Sequence, residues 1–494
     1  MEATVPQPEA KQTTKLATGI AGLDEILHGG LIPRRAYLVE GGPGTGKTTL
    51  GNHFLNEDER ALNLFVTLGE TADQLRDNAR QSGLSLDDVP VLDLSPLEQD
   101  NGSESAYSLL ESWEVEGGAI HDQLVAYAQQ NRPERVFIDS LSQLRHLTPD
   151  LFQFRKQVLS LLRQLTRGGA TVLFTEERIA DGEEDLQFLS DGVIELRRAE
   201  HGRTCTVSKM RGSSFAEGSH HYGLGEGGMH VYPRLIPSDH GQRFIQEAIG
   251  SGIQGLDEMT NGGIERGTVT VLSGPSGVGK TSLGAHFIKE AAERGERSVI
   301  YSFDEGLTTF AHRLEQIGMP VHSLLEAGNM VFHFIEPLHY NPDRFALVVR
   351  DAVERRGVRV VMIDSISGYR QSVIDSNVVE RLHALCRYLV NMGVTVLLNN
   401  EVQSLAGGEI KPTQDGISYL ADTIILLRYI ELDGELRKSL GILKKRTSDF
   451  EKSLREFEIT PDGIRLREPL HGLSGLLTGL GQHNPRKEKP HGGV

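Results

Sequence analysis

Gly41-Gly-Pro-Gly-Thr-Gly-Lys-Thr48 and Gly274-Pro-Ser-Gly-Val-Gly-Lys-Thr281 are two copies of one signature, Gly-x-x-x-x-Gly-Lys-Thr, set 233 positions apart in a chain of 494 residues. Each copy has the composition of a loop that wraps a polyphosphate. Glycines at the first, fourth and sixth positions let backbone N–H groups turn inward, because no Cβ obstructs the curl. In such a loop the lysine reaches the β- and γ-phosphates and the threonine hydroxyl ligates Mg²⁺. The candidate nucleotide-binding residues are Gly42, Gly44, Thr45, Gly46, Lys47, Thr48 and Thr49 in the first copy. In the second they are Ser276, Gly277, Val278, Gly279, Lys280, Thr281 and Ser282. Ala36–Glu40 and Thr268–Ser273 read as short buried strands entering the loops. Thr49–Leu55 and Ser282–Glu293 read as helices leaving them, which sets each phosphate at a helix N-terminus.

The repeat extends well beyond the loops. Thr18-Gly-Ile-Ala-Gly-Leu-Asp-Glu25 answers Ser251-Gly-Ile-Gln-Gly-Leu-Asp-Glu258, and Leu-Gly-x-His-Phe follows each loop at Leu50–Phe54 and Leu283–Phe287. Two apolar stretches, Leu64–Glu70 and Val299–Glu305, read as strands ending in acids. Arg135-Val-Phe-Ile-Asp-Ser140 pairs with Val360-Val-Met-Ile-Asp-Ser365, and Lys209-Met-Arg211 with Lys444-Lys-Arg446. Strands alternating with helices predict an α/β fold: two tandem P-loop NTPase domains, each a mostly parallel sheet flanked by helices. The expected bounds are 16–235 and 248–480, joined near the Pro- and Ser-containing stretch Tyr232–Gly250. A disordered N-terminus (1–15) and a flexible C-terminal tail (481–494) are expected outside them.

Composition narrows the function classes. Net charge is −17 with no long basic run, which argues against a protein whose main task is gripping nucleic acid. Residues 98–118 carry six acids and no Lys or Arg, and read as a solvated insertion. No apolar run approaches 18 residues and Met1–Lys15 has no signal-peptide core, so a cytoplasmic protein without membrane contact is expected. Cys205 and Cys386 occupy non-equivalent places and read as core thiols, while His53 and His286 recur because their helices recur.

Binding a phosphate is not yet turnover, which needs an acid that organises Mg²⁺ and a group that orients or deprotonates the nucleophile. Asp139 and Asp364, each ending an apolar strand, are candidates for the first role alongside Thr48 and Thr281. Glu70 in the first half and Asp304 with Glu305 in the second are candidates for the other, since strand ends line the crevice where α/β ligands bind.

These ordered motifs, over residues 16–480, resemble the KaiC family of tandem RecA-like ATPases. The resemblance implies a double-ring homohexamer with ATP and Mg²⁺ between neighbouring subunits and partner proteins in a signalling or circadian-clock system. It implies ATP hydrolysis in the N-terminal ring and Ser/Thr autokinase activity in the C-terminal ring. Lys209, Arg211, Lys444 and Arg446 would then be fingers reaching a neighbour's γ-phosphate. The family has two consecutive glutamates per domain; the second half has Asp304-Glu305 and the first only Gly69-Glu70. Ser418 matches the family's phosphorylated serine and Thr413 a nearby threonine, but Tyr419 replaces the adjacent phosphorylated threonine. Two other readings stand beside the autokinase: a RecA-like DNA-dependent ATPase, and a nucleotide-gated scaffold with little catalysis.

Overall fold

The strand that enters the first loop, β1 (Ala36–Gly41), is buried at all six positions, as a strand covered on both faces must be. The computed structural model describes residues 14–58, 61–94, 109–146, 150–177, 185–199, 202–337, 339–373, 377–402, 419–432, 434–470, 473–474 and 482–483. It divides into two units, Met1–Arg234 and Leu235–Val494.

In the first unit β1 is followed by β2 (Asn63–Thr67), β3 (Val91–Asp93), β4 (Arg135–Asp139), β5 (Thr171–Glu177), β6 (Gly192–Ala199), β7 (Gly202–Met210), β8 (Ser219–Gly225) and β9 (Gly228–Tyr232). They form one sheet in the order β3-β2-β4-β5-β1-β6-β7-β8-β9. The pairings from β3 to β6 are parallel, and β6 to β9 form an antiparallel meander. Alternation along β1 sends Tyr37 and Val39 against Leu50 and Phe54 of helix Lys47–Asn56. Ala36 and Leu38 face the other way, onto Phe154, Val158, Leu161 and Leu165 of helix Leu151–Arg167.

The second unit repeats the plan. A two-stranded ribbon, β10 (Ala248–Ile249) with β11 (Ile264–Glu265), precedes β12 (Val269–Gly274), β13 (Arg297–Ser302), β14 (Met330–Phe334), β15 (Val358–Asp364) and β16 (Thr395–Glu401). After them come β17 (Thr423–Leu432), β18 (Glu435–Lys445), β19 (Arg455–Thr460) and β20 (Gly463–Pro469). The order β14-β13-β15-β16-β12-β17-β18-β19-β20 matches the first sheet strand for strand. Leu272 packs with Leu283 and Phe287 of helix Lys280–Glu293. Val269 and Val271 pack with Leu382, Leu385 and Leu389 of helix Val378–Asn391.

Several local readings shift. Both loop helices start at the lysine, two residues before Thr49 and Ser282, so Lys47 and Lys280 sit in a first helical turn. β2 and β13 stop at Thr67 and Ser302, three residues before Glu70 and Glu305. Residues 109–118 of the acidic stretch belong to helix Leu109–Asn131. Its earlier part, 98–108, and residues 1–13, 481 and 484–494 of the expected disordered and flexible ends lie outside the described residues. Cys205 and Cys386 are free, buried thiols, each pushed up to about 12 by burial. Among the described residues no helix is long and apolar enough to cross a membrane.

The repeated histidines brace each loop helix to the far end of its meander. His53 Nε2 accepts from the backbone N–H of Met229 at 2.9 Å, and His286 Nε2 from that of Ile464 at 3.2 Å. Accepting needs a neutral ring, and burial lowers His286 to about 4, with Lys289 adding to the shift. Between the unfolded value near 6.5 and this folded value, only the unfolded chain takes up the proton. The contribution is therefore complete above pH 6.5 and is lost as the pH falls toward 4. Chemical unfolding of the second unit should show about 2 kcal/mol more loss from pH 7 to pH 5 in the parent than in His286→Gln. Equal losses would contradict this role.

Candidate nucleotide sites

Both loops close on themselves in the same way. Gly46 and Gly279 take φ of 91° and 119° at the helix N-caps, a left-handed turn that a side chain would strain. Lys47 Nζ donates to the carbonyls of Gly41 (2.8 Å) and Gly42 (3.2 Å); Lys280 Nζ donates to those of Gly274 and Pro275 (2.9 Å each). The lysine thus spans the loop it belongs to, and burial lowers the Lys280 ammonium below its ordinary value.

One residue on, Thr48 Oγ1 donates to Asp139 Oδ2 at 2.6 Å, and Thr281 Oγ1 to Asp364 Oδ2 at 2.7 Å. The sequence separates these partners by 91 and 83 residues, and the parallel sheet brings them together. A third group, unnoticed in the sequence, completes each cluster. Asp139 Oδ1 accepts from Thr175 Oγ1 at 2.5 Å, and Asp364 Oδ1 from Asn399 Nδ2 at 2.8 Å. Burial raises Asp364 above the usual carboxylate range, while the bonds from Asn399 and Thr281 oppose the shift. A hydroxyl and a carboxylate on adjoining elements at a phosphate loop are an oxygen donor set that suits Mg²⁺.

The strand-end acids differ between the halves. Ser302 Oγ donates to the Glu305 carbonyl at 2.8 Å, as Thr67 Oγ1 does to that of Glu70 at 2.7 Å, so the turn is the same. In the second half Asp304 Oδ2 accepts from Ser365 Oγ at 2.9 Å and Glu305 pairs with Arg313. In the first half Glu70 Oε2 accepts from Asn78 Nδ2 at 3.0 Å, and Gly69 leaves the place of Asp304 without a carboxylate. The second site opens into a cavity of about 490 Å³ lined by its loop together with Asp304, Glu305 and Asp364.

The two lysine–arginine pairs lie elsewhere. Lys209 faces Val193 at the start of β6, whose neighbour Gly192 faces Tyr37 at the start of β1. Lys444 likewise faces Ile424, beside the start of β12. Each pair therefore sits at the sheet end opposite its own loop, roughly 20 Å away for a six-residue strand. Lys209 Nζ donates to the Gln187 and Ser190 carbonyls (2.6 and 2.7 Å), and Lys444 Nζ to the Ala421 carbonyl at 2.6 Å. Arg211 and Arg446 are half-exposed, with loose ion pairs to Asp191 (3.8 Å) and Asp422 (3.5 Å). Arg446 also donates to the Tyr419 carbonyl at 3.2 Å. Ser418 and Thr413 lie outside the described residues.

A family model described as the KaiC ATPase matches residues 16–236 and again 249–471. The chain belongs to the KaiC ATPase family. It is 28% identical to the circadian clock oscillator protein KaiC of Prochlorococcus marinus, over 95% of each chain. It is also 28% identical to that of Synechococcus elongatus, over 95% of this chain and 92% of the relative. The protein is accordingly an ATP-binding, KaiC-like ATPase built as two RecA-like domains.

One feature sets the first site apart. Glu40, just before the loop, is in register with Glu176 of β5 on one side and Glu195 of β6 on the other. Glu195 pairs with Arg197 at 2.6 Å, and Glu40 Oε2 accepts from Gln187 Nε2 at 2.9 Å. The second half has Ser273 and Asn400 instead, bonded at 3.3 Å. Burial, with Glu40 adding repulsion against a partial offset from Arg145, raises Glu176 to about 7. A carboxyl raised in the fold holds a proton that the unfolded chain has released. Its stabilising contribution falls as pH rises from about 4.5 to 7 and stays lost above that. Glu176→Gln should therefore stabilise the first unit by about 2 kcal/mol more at pH 8 than at pH 5.5, read by thermal or denaturant unfolding. A gain independent of pH would contradict a raised Glu176 carboxyl.

Proposed function

We propose that the two domains, 16–235 and 248–480, each bind ATP with Mg²⁺ and complete their sites between subunits of a cytoplasmic homohexameric double ring. The observation that carries this reading is the polarity of each unit: loop, Thr–Asp cluster and strand-end acid share one sheet end, and the finger arginine occupies the other. An arginine that cannot reach its own phosphates is suited to serve a neighbour's, where it offsets transition-state charge and couples turnover to assembly. Lys209 and Lys444, tied to backbone carbonyls, brace the turn that presents it.

Thr48 with Asp139, and Thr281 with Asp364, would hold the Mg²⁺. Bound there, the ion would neutralise phosphate charge. At the second site Asp304 and Glu305 are the acids that orient the acceptor and take its proton. The acceptor is a side-chain hydroxyl, that of Ser418 in the first instance and of Thr413 in the second. Its oxygen bonds the γ-phosphorus, the bond to the β-phosphate oxygen breaks, and ADP leaves. At the first site Glu70 alone orients water, and hydrolysis is slower. Phosphorylation and nucleotide state would alter the ring surface and with it the binding of signalling partners. Gly69 favours a second reading for the first site alone, a nucleotide clamp that holds the ring together with little turnover.

Incubation with γ-labelled ATP tests both. Lys280→Ala should abolish labelling of the protein, and Ser418→Ala should remove most of it. Lys47→Ala should reduce assembly and phosphate release, and should lower labelling only in proportion to the loss of assembly. Undiminished label on Ser418→Ala and Thr413→Ala together would overturn the Ser/Thr autokinase, and undiminished ATP turnover with both lysines replaced would overturn catalysis at either loop.

A further inference from the structure

The halves diverge at the position that holds the strand-end glutamate. Eight residues after Glu70 comes Asn78, on helix Ala72–Gln81, whose neutral amide holds the carboxylate at 3.0 Å. Eight residues after Glu305 comes Arg313, on the equivalent helix Leu307–Glu315, and there a guanidinium makes the contact. Arg313 lines the same cavity as Lys280, Thr281, Asp304 and Asp364, and its charge is felt at the Asp364 carboxyl. Its side chain is 42% exposed, so it has room to turn while still touching Glu305. A guanidinium carries five N–H donors in a planar fork, of which one carboxylate uses at most two.

We propose that Arg313 is a γ-phosphate ligand particular to the second site: Glu305 holds it until a triphosphate arrives, and the terminal phosphate then draws it away. Two consequences follow from the geometry. The second site favours ATP over ADP by more than the first site does, because ADP offers no terminal phosphate for the fork. The same movement loosens Glu305 only when a transferable phosphoryl group is present, so the acid becomes available in step with the substrate. Asn78, uncharged, gives the first site neither property. The inference rests on the reading of Gly274–Thr281 as a nucleotide loop and of Glu305 as its acid.

The test is equilibrium binding of Mg²⁺–ADP and of the Mg²⁺-bound β,γ-imido analogue of ATP to the full chain carrying Lys47→Ala, which removes the first site from the titration. Adding Arg313→Asn should weaken the analogue about tenfold, equal to about 1.4 kcal/mol, and move ADP by less than about twofold. Arg313→Lys should recover part of the loss, because it restores charge without the fork. Unaltered ADP binding in the same variant shows that the site is folded. Analogue and ADP weakening together would make Arg313 a structural residue and overturn the inference, as would an analogue affinity that does not move. A Lys47→Ala parent that binds neither nucleotide would overturn the reading of the second loop itself, and the latch with it.

Discussion

Strand polarity is the constraint from which the arrangement of both sites follows. A parallel core delivers the C-terminal ends of β1, β2, β4 and β5 to one edge, where the loop, Glu70, Asp139 and Thr175 converge. β6 keeps that direction and β7 reverses it, so the residues that close β7 are carried back to the opposite edge. The second unit repeats the reversal between β17 and β18. One antiparallel hairpin thereby separates Arg211 from Lys47, and Arg446 from Lys280, by the length of a strand. No side-chain rotation spans such a distance, which is why the proposed chemistry calls for a neighbouring subunit.

Within that shared frame the halves are specialised by a few side chains. The Thr–Asp bonds and the lysine that spans its loop are common to both, so the machinery for holding nucleotide is duplicated. What surrounds it is not. The first loop is backed by a row of glutamates, of which Glu40 is buried, and faces a single strand-end acid. The second is backed by serine and asparagine and faces two acids and an arginine. Replacing carboxylates behind the loop by neutral groups, and moving charge to the front, leaves the second site with more of the groups that can act on a phosphoryl transfer.

The sequence exposed the fold and the loops because both rest on local signals. Glycine spacing, buried strands such as Ala36–Glu40 and the repeat at 233 residues do not depend on distant partners. Asp139 and Asp364 were legible for the same reason, as acids ending apolar runs. The meander was not, since β7 to β9 carry the mixed burial of a sheet margin and lack the continuous apolar run of β1. Thr175, Asn399, Glu176 and Arg313 were missed because their meaning depends on register with another strand or helix. Their signal was present only in comparison of the halves: Thr-Glu-Glu ends β5 where Asn-Asn-Glu ends β16, and Asn78 stands where the second half has Arg313.

Subunit mixing probes the proposed sharing of sites most directly. Lys280→Ala subunits lack a working second loop and Arg446→Ala subunits lack the second finger, so each homogeneous assembly should be inactive in C-terminal phosphoryl transfer. Co-assembled, an Arg446→Ala subunit supplies the loop and a Lys280→Ala neighbour supplies the finger, and labelling from γ-labelled ATP should reappear, at most on the order of a quarter of the parent level for random mixing. Activity retained by Arg446→Ala alone, or mixtures that co-assemble yet stay as inactive as their components, would contradict an active site built from two subunits.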